Sequence, residues 1–288
     1  MRNRFVPHQT VAGALGVCLA LGLGGCAAME DLLGARRPSA RVVGVRLDNI
    51  SLKSATMVFD VELANPYSTP LPLVNVDYRL ASGGTPFLSG EAELQGTVPA
   101  GGKKTVALPA EVRYAGLLEA LRQVKPGAVI PYQAELGLSV DAPGVGPQRL
   151  PLRKAGQLPV PSVPKIELSE ITWDRLGLDE ASGRVRLRVV NRNQFAVELA
   201  RLAGTLSLGG TDVVDVSGMQ AVALEPDGGA GEVEIPISFS PSKLGMAVFR
   251  MLSGSGSGYR LRGAQTVTTP FGPMSLGFDE VGNTVFRR

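Results

Sequence analysis

Between Met57 and Leu80 the chain reads MVFDVELANPYSTPLPLVNVDYRL. Apolar Met57, Phe59, Val61 and Leu63 alternate with charged Asp60 and Glu62, the period of two that places one face of a strand in a core and the other in water. Asn65-Pro66 breaks the run, because Pro donates no ladder hydrogen bond and Asn accepts turn geometry. Beyond it Val74, Val76, Tyr78 and Leu80 alternate with Asn75, Asp77 and Arg79, which predicts a second strand. The arrangement returns from Gly183 to Leu208. There Val185, Leu187 and Val189 alternate with Arg184, Arg186 and Arg188. Asn191-Arg192-Asn193 interrupts them, and Ala200, Leu202, Leu206 and Leu208 resume.

The flanking segments extend this unit. Arg41–Leu47 reads as an opening strand with a bend at Ile50–Leu52, Gly83-Gly84 as a turn, and Gly90–Val98, Lys104–Val112 and Tyr132–Val140 as further strands. Leu117, Leu118, Leu121 and Val124 recur at helical spacing, so Tyr114–Val124 predicts a short amphipathic helix. Its counterpart is Pro241–Leu252, with Ser240 expected as N-cap and Pro241 at the first helical position. Asn191 follows Asn65 by 126 residues, Leu244 follows Leu117 by 127, and Tyr259 follows Tyr132 by 127. Landmarks that keep their spacing this well indicate a duplicated domain.

With no βαβ rhythm, the expected fold is all-β: two tandem immunoglobulin- or fibronectin III-like antiparallel β-sandwiches, each with one short helix. The boundaries read as 41–157 and 165–288, joined by a Pro-rich connector at 158–164, LPVPSVP, that is semi-rigid by composition. A length of 288 residues suits two domains able to bury a core each. Abundant Gly and Pro, with few aromatics, favour short strands and turns over long helices.

The amino terminus changes the picture. Arg2 and Arg4 precede an apolar stretch, Val11–Leu23, too short to span a bilayer comfortably. Leu23-Gly24-Gly25-Cys26 resembles a bacterial lipobox. The resemblance implies a signal peptide over 1–25, cleavage between Gly25 and Cys26, and acylation of Cys26, which would hold the chain at a membrane by lipid alone. Residues 26–40 then read as a lipidated tether, spanning about 20 Å as a coil and about 45 Å stretched. Ala27, where Asp would commonly signal inner-membrane retention, favours the outer membrane of a cell envelope. The two cysteines are Cys18, inside the leader, and Cys26, so no disulfide is expected. Removing Arg2 and Arg4 from a formal charge of +3 leaves a mature chain near +1, without a footprint for nucleic acid.

Val61-Glu62-Leu63-Ala64-Asn65-Pro66-Tyr67, followed by Pro70-Leu71-Pro72-Leu73, resembles the signature of the LEA type 2 family, whose domain is also called the water stress and hypersensitive response domain. In the second copy, Val189-Val190-Asn191-Arg192-Asn193-Gln194-Phe195 keeps the Asn and the aromatic but not the Pro. The resemblance implies a small β-sandwich with one helix and a link to desiccation and stress tolerance. It brings no catalytic residues.

Reactive chemistry is sparse. The single His, His8, lies in the leader, which removes His-dependent nucleophilic schemes and the usual transition-metal ligand sets from the mature chain. Gly96–Thr105, GTVPAGGKKT, fails the spacing of a phosphate-binding loop and reads as a hairpin turn. Ser253–Gly258 reads as a flexible loop, and Asp212, Asp215, Glu225 and Asp227 as ordinary exposed carboxylates. No cofactor, metal or catalytic residue is expected. Asn65, Pro66, Tyr67 and Asn191 are expected to form structural turns that fix the register of the following strand. Asp60 and Glu62, opposed in charge to Arg186 and Arg188 at matching positions, form a candidate interaction face, either between the domains or toward an envelope protein or lipid partner. A sandwich edge open to β-augmentation is the alternative route to a partner.

Overall fold

The computed structural model describes residues 37–218 and 221–288. The leader, the lipobox with Gly25 and Cys26, and most of the tether lie outside the described residues.

In chain order the first half forms β1 (Ser39–Asp48), β2 (Ser54–Ala64), β3 (Leu71–Ser82), β4 (Thr85–Glu93), β5 (Thr97–Val98), β6 (Lys103–Arg113), α1 (Tyr114–Ala120), β7 (Val129–Ala142) and β8 (Gly146–Pro159). β1, β2 and β6 make one sheet. The other runs β4-β3-β7-β8, with β5 beside β3. The alternation places Met57, Phe59, Val61 and Leu63 fully inside, against Leu80, Leu136 and Leu138 from the facing sheet. Each such side chain contributes about 2 kcal/mol by leaving water.

The second half repeats the order: β9 (Lys165–Leu176), β10 (Ala181–Val190), β11 (Val197–Leu208), β12 (Thr211–Gly218), β13 (Val222–Leu224), β14 (Ala230–Phe239), a 3₁₀ turn (Pro241–Leu244), α2 (Met246–Leu252), β15 (Gly256–Thr269) and β16 (Gly272–Arg287). Val185, Leu187 and Val189 are its fully buried central row. The fold is therefore two all-β sandwiches with one short α-helix each. The second differs in its layering: β16 also pairs in parallel with β9, joining both layers into the continuous order β12-β11-β15-β16-β9-β10-β14.

Several local expectations need correction. A register shift between Leu73 and Asn75 turns Val74 outward, and 40% of its surface is exposed. The second copy has the same bulge between Leu199 and Arg201, at Ala200. A bulge adds one residue to one strand, so the side-chain alternation changes phase there. The Gly96–Thr105 stretch is not a hairpin, because β5 pairs with β3 and β6 with β2, and the turn crosses between sheets. The first helix stops at Ala120. The second is broken at Gly245, whose φ of 98° cannot continue an α-helix. Ser240 makes no side-chain cap bond.

The Pro-rich connector is docked onto both domains. Leu158, next to the last residue of β8, lies inside the first core, Val160 is buried there, and Val163 packs on the second core. Ile50 touches both cores, and Val129 of the first domain packs on the second.

Candidate functional site

Asn65 follows β2 and sits on the crossover from one sheet to the other, 2% exposed. Pro66 blocks continuation of the strand, so the turn leaves carbonyls without ladder partners. The Asn65 Nδ2 group donates to the carbonyl oxygens of Thr69 (2.9 Å), Val98 (3.1 Å) and Pro99 (3.0 Å). Its Oδ1 accepts from the Tyr67 backbone N–H at 2.9 Å. Pro66 is exposed and Tyr67 half-buried. Asn191 reproduces this arrangement at the matching place, fully buried: Nδ2 donates to Phe195 (2.8 Å), Leu224 (3.3 Å) and Glu225 (3.0 Å). One amide thus ties the crossover to the strand that closes over it, using every donor it has.

The second turn does more than the first. Asn193, standing where the first copy has Tyr67, donates through Nδ2 to the Asn191 Oδ1 (3.0 Å) and to the Ser162 carbonyl (3.1 Å). The Asn193 Oδ1 accepts from the Ser162 N–H at 2.8 Å. Gln194 then reaches the first domain: its N–H donates to the Gly127 carbonyl (2.7 Å) and its Oε1 accepts from the Val129 N–H (2.9 Å). Gly127 has φ of 99°, and a Cβ there would collide with the Arg192 carbonyl. The second turn, the connector and the end of the first domain form one hydrogen-bonded junction. Asn193 marks it in the sequence only as a departure from the first copy, and nothing in the pattern identified Gln194 or Gly127.

The charged faces do not meet each other. Asp60 is bonded to Arg46 at 2.6 Å, and Glu62 to Arg41 at 2.9 Å with Lys103 at 3.5 Å. Arg186 is bonded to Glu170 (2.6 Å) and Glu234 (2.7 Å), and Arg188 lies 3.7 Å from Glu167. Each charge is answered by a neighbouring strand of its own sheet, so the expected contact between the domains gives way to cross-strand pairing. Hydrogen bonding from Arg41 holds the Glu62 carboxyl below the usual range. Arg149, with bonds of 2.9 and 2.6 Å, does the same for Asp77.

Among the described residues no group of three or more His, Cys, Asp or Glu side chains is placed to hold a metal ion, and no helix is long and apolar enough to cross a membrane. Asp212 is bonded to Arg262 (2.7 Å) and Asp215 to Thr205 (2.8 Å), so neither is free to ligate a cation together with the other. Burial pushes the Tyr114 hydroxyl upward.

Fold and turn together define a tandem pair of β-sandwich modules whose sheet crossover is pinned by a buried asparagine. The family model described as Late embryogenesis abundant protein, LEA_2, matches residues 60–156 and 186–282, about two thirds of the chain. The chain belongs to this family, with one LEA_2 domain in each half. It is similar to the soybean (Glycine max) Desiccation protectant protein Lea14 homolog, 30% identical over 46% of this chain and 88% of that protein. It is also similar to Late embryogenesis abundant protein Lea14-A of Gossypium hirsutum, 28% identical over 48% of this chain and 91% of that one. A solution structure from Arabidopsis thaliana is 26% identical, covers 43% of this chain and 82% of its own, and superposes with a TM-score of 0.37. The soybean and cotton sequences each correspond to about half of the chain, as a duplicated domain requires. The family and its desiccation-related members support a role in stress or desiccation.

Proposed function

We propose that the protein is a non-enzymatic envelope lipoprotein, anchored through acylated Cys26, that protects or binds envelope components during drying stress. Family membership of both halves carries this reading, since the similar plant proteins bear desiccation names. The leader and Leu23-Gly24-Gly25-Cys26 support the anchor, and Ala27 supports the outer membrane as its place. A mature chain without His or a free thiol is poorly supplied for catalysis. The test is survival through a drying and rewetting cycle in cells lacking the gene. Protection should return with the wild-type chain and fail with Cys26→Ala expressed to equal level. Equal survival of deleted and complemented cells would reject the protective role.

A second reading, an adaptor that recruits another envelope protein through a sheet edge, has support at one place. Among the described residues β4 pairs with no strand but β3. The edges of β6 and β14 are less suited, because Pro109 and Pro236 occupy matching positions there and lack an N–H. A stoichiometric protein partner retained on the full chain and lost on adding Leu88→Pro in β4 would favour this reading.

A further inference from the structure

The two domains close the seam between their first and last strands differently. In the second, Val285, Phe286 and Arg287 of β16 pair in parallel with Glu170, Ile171 and Thr172 of β9. The buried Tyr259 hydroxyl accepts from the Leu168 N–H at 3.1 Å. Glu170, only 13% exposed, holds both Arg186 (2.6 Å) and Arg287 (2.5 Å) across the join. The ladder registers align these three residues of β16 with Pro159, Val160 and Pro161. Two of the three have no N–H, so the end of the first domain cannot pair with β1 in this way. Among the described residues β1 pairs only with β2, and β8 only with β7.

The seam of the first domain stays open. Val42, Val45 and Leu47, on the inward face of β1, are half-buried, while their counterparts Leu168, Ile171 and Trp173 are 3%, 0% and 4% exposed. Between β1 and β8 lies a groove of about 520 Å³, with Leu47 and Met57 on its apolar side and Phe271 of the second domain at its border. Four polar side chains line it: Arg46 is already bonded to Asp60 at 2.6 Å and Gln157 is exposed at its rim, which leaves Tyr132 and Lys154. Tyr132 is 4% exposed and its hydroxyl has no hydrogen-bond partner among the described residues, although the matching Tyr259 hydroxyl does. Lys154 stands on an inward position of β8 where the second domain has Glu280, and it makes no ion pair among the described residues. No carboxylate lines the groove.

From this we infer that the open seam is a binding site for a small organic anion with a flat apolar body, its charge on Lys154 and the Tyr132 hydroxyl, its body between Val45, Leu47 and Phe271. The volume falls in the range of small-molecule sites, and a border between domains is a favoured place for one. An inserted peptide strand is the poorer occupant. Cα atoms of β1 and β8 come within 8 Å of one another, less than the roughly 9.6 Å that separates the two neighbours of a middle strand. Leu47, where the second domain has the larger Trp173, leaves the groove wider, and Val160 in place of Phe286 leaves the connector side without a ring.

The probe is 2-naphthoate titrated calorimetrically into the full chain, with neutral 2-naphthalenemethanol as control. Naphthoate should bind at one site per chain and more tightly than the alcohol. Lys154→Met should weaken naphthoate about tenfold or more, the loss expected for a charge-assisted contact, and leave the alcohol unchanged. Leu47→Trp, which places in the groove the residue the second domain carries, should abolish both at unchanged melting temperature. Absence of binding at millimolar probe, or naphthoate affinity unchanged by Lys154→Met, would overturn the assignment. The lysine variant keeps the inference testable should Leu47→Trp fail to fold.

Discussion

Replacing Asn65 by Ala removes one amide and strands four backbone groups: the carbonyls of Thr69, Val98 and Pro99 and the N–H of Tyr67. They do not count equally. The bond to Val98 is buried, whereas the other three lie where water can partly replace the lost partner. One fully buried orphan costs about 1–3 kcal/mol and the partly buried ones less, so about 3 kcal/mol is expected in all. For a domain of this size that corresponds to about 12 °C in melting temperature. Asn191→Ala should cost more, because its bonds to Phe195 and Leu224 and the N–H of Asn193 are all buried. The assay is urea unfolding of the full chain followed by hydrogen exchange, which assigns the loss to one domain. An Asn65→Ala variant that unfolds within about 0.5 kcal/mol of wild type, the level of a neutral surface change, would refute the structural role. A variant that keeps its melting temperature but loses stress protection would instead make the turn a recognition site.

Cys26→Ala should abolish acyl labelling and leave the protein unprocessed or mislocalised; unchanged labelling would reject the lipid anchor. Gly127→Ala, forced against the Arg192 carbonyl at φ of 99°, should loosen the junction, raising proteolysis at 158–164 while both cores stay folded. Stability should be flat between about pH 6 and pH 9, since the described residues include no His. The lowered carboxyls of Glu62, Asp77, Glu167 and Asp279 add stability that is present above their unfolded values and lost as pH falls through their folded ones. Melting temperature should therefore decline only in acid, and a transition near pH 6.5, the ordinary histidine range, would contradict this. Pro164–Arg288 expressed alone should fold cooperatively with a midpoint indifferent to EDTA, and a large loss on chelation would show a metal contribution.

Alternation along β2 and β10 was enough to determine the strands, their inward faces and the duplication, because a period of two reports directly which side chains leave water. The asparagines were legible too: an Asn at the end of an alternating run has few uses but to bond the backbone of the turn. Other features depended on partners far along the chain. Val74 reads as a core residue until a bulge shifts its phase, and Asp60 and Arg186 read as opposed faces until Arg46 and Glu170 arrive from neighbouring strands. The connector reads as a spacer, yet Asn193 and Gln194, some thirty and sixty-five residues from their respective partners Ser162 and Val129, fasten it down. The open seam was the least visible. Pro159 and Pro161 matter only because β16 shows what the same positions do with an N–H, and that comparison exists only once strands distant in sequence lie side by side.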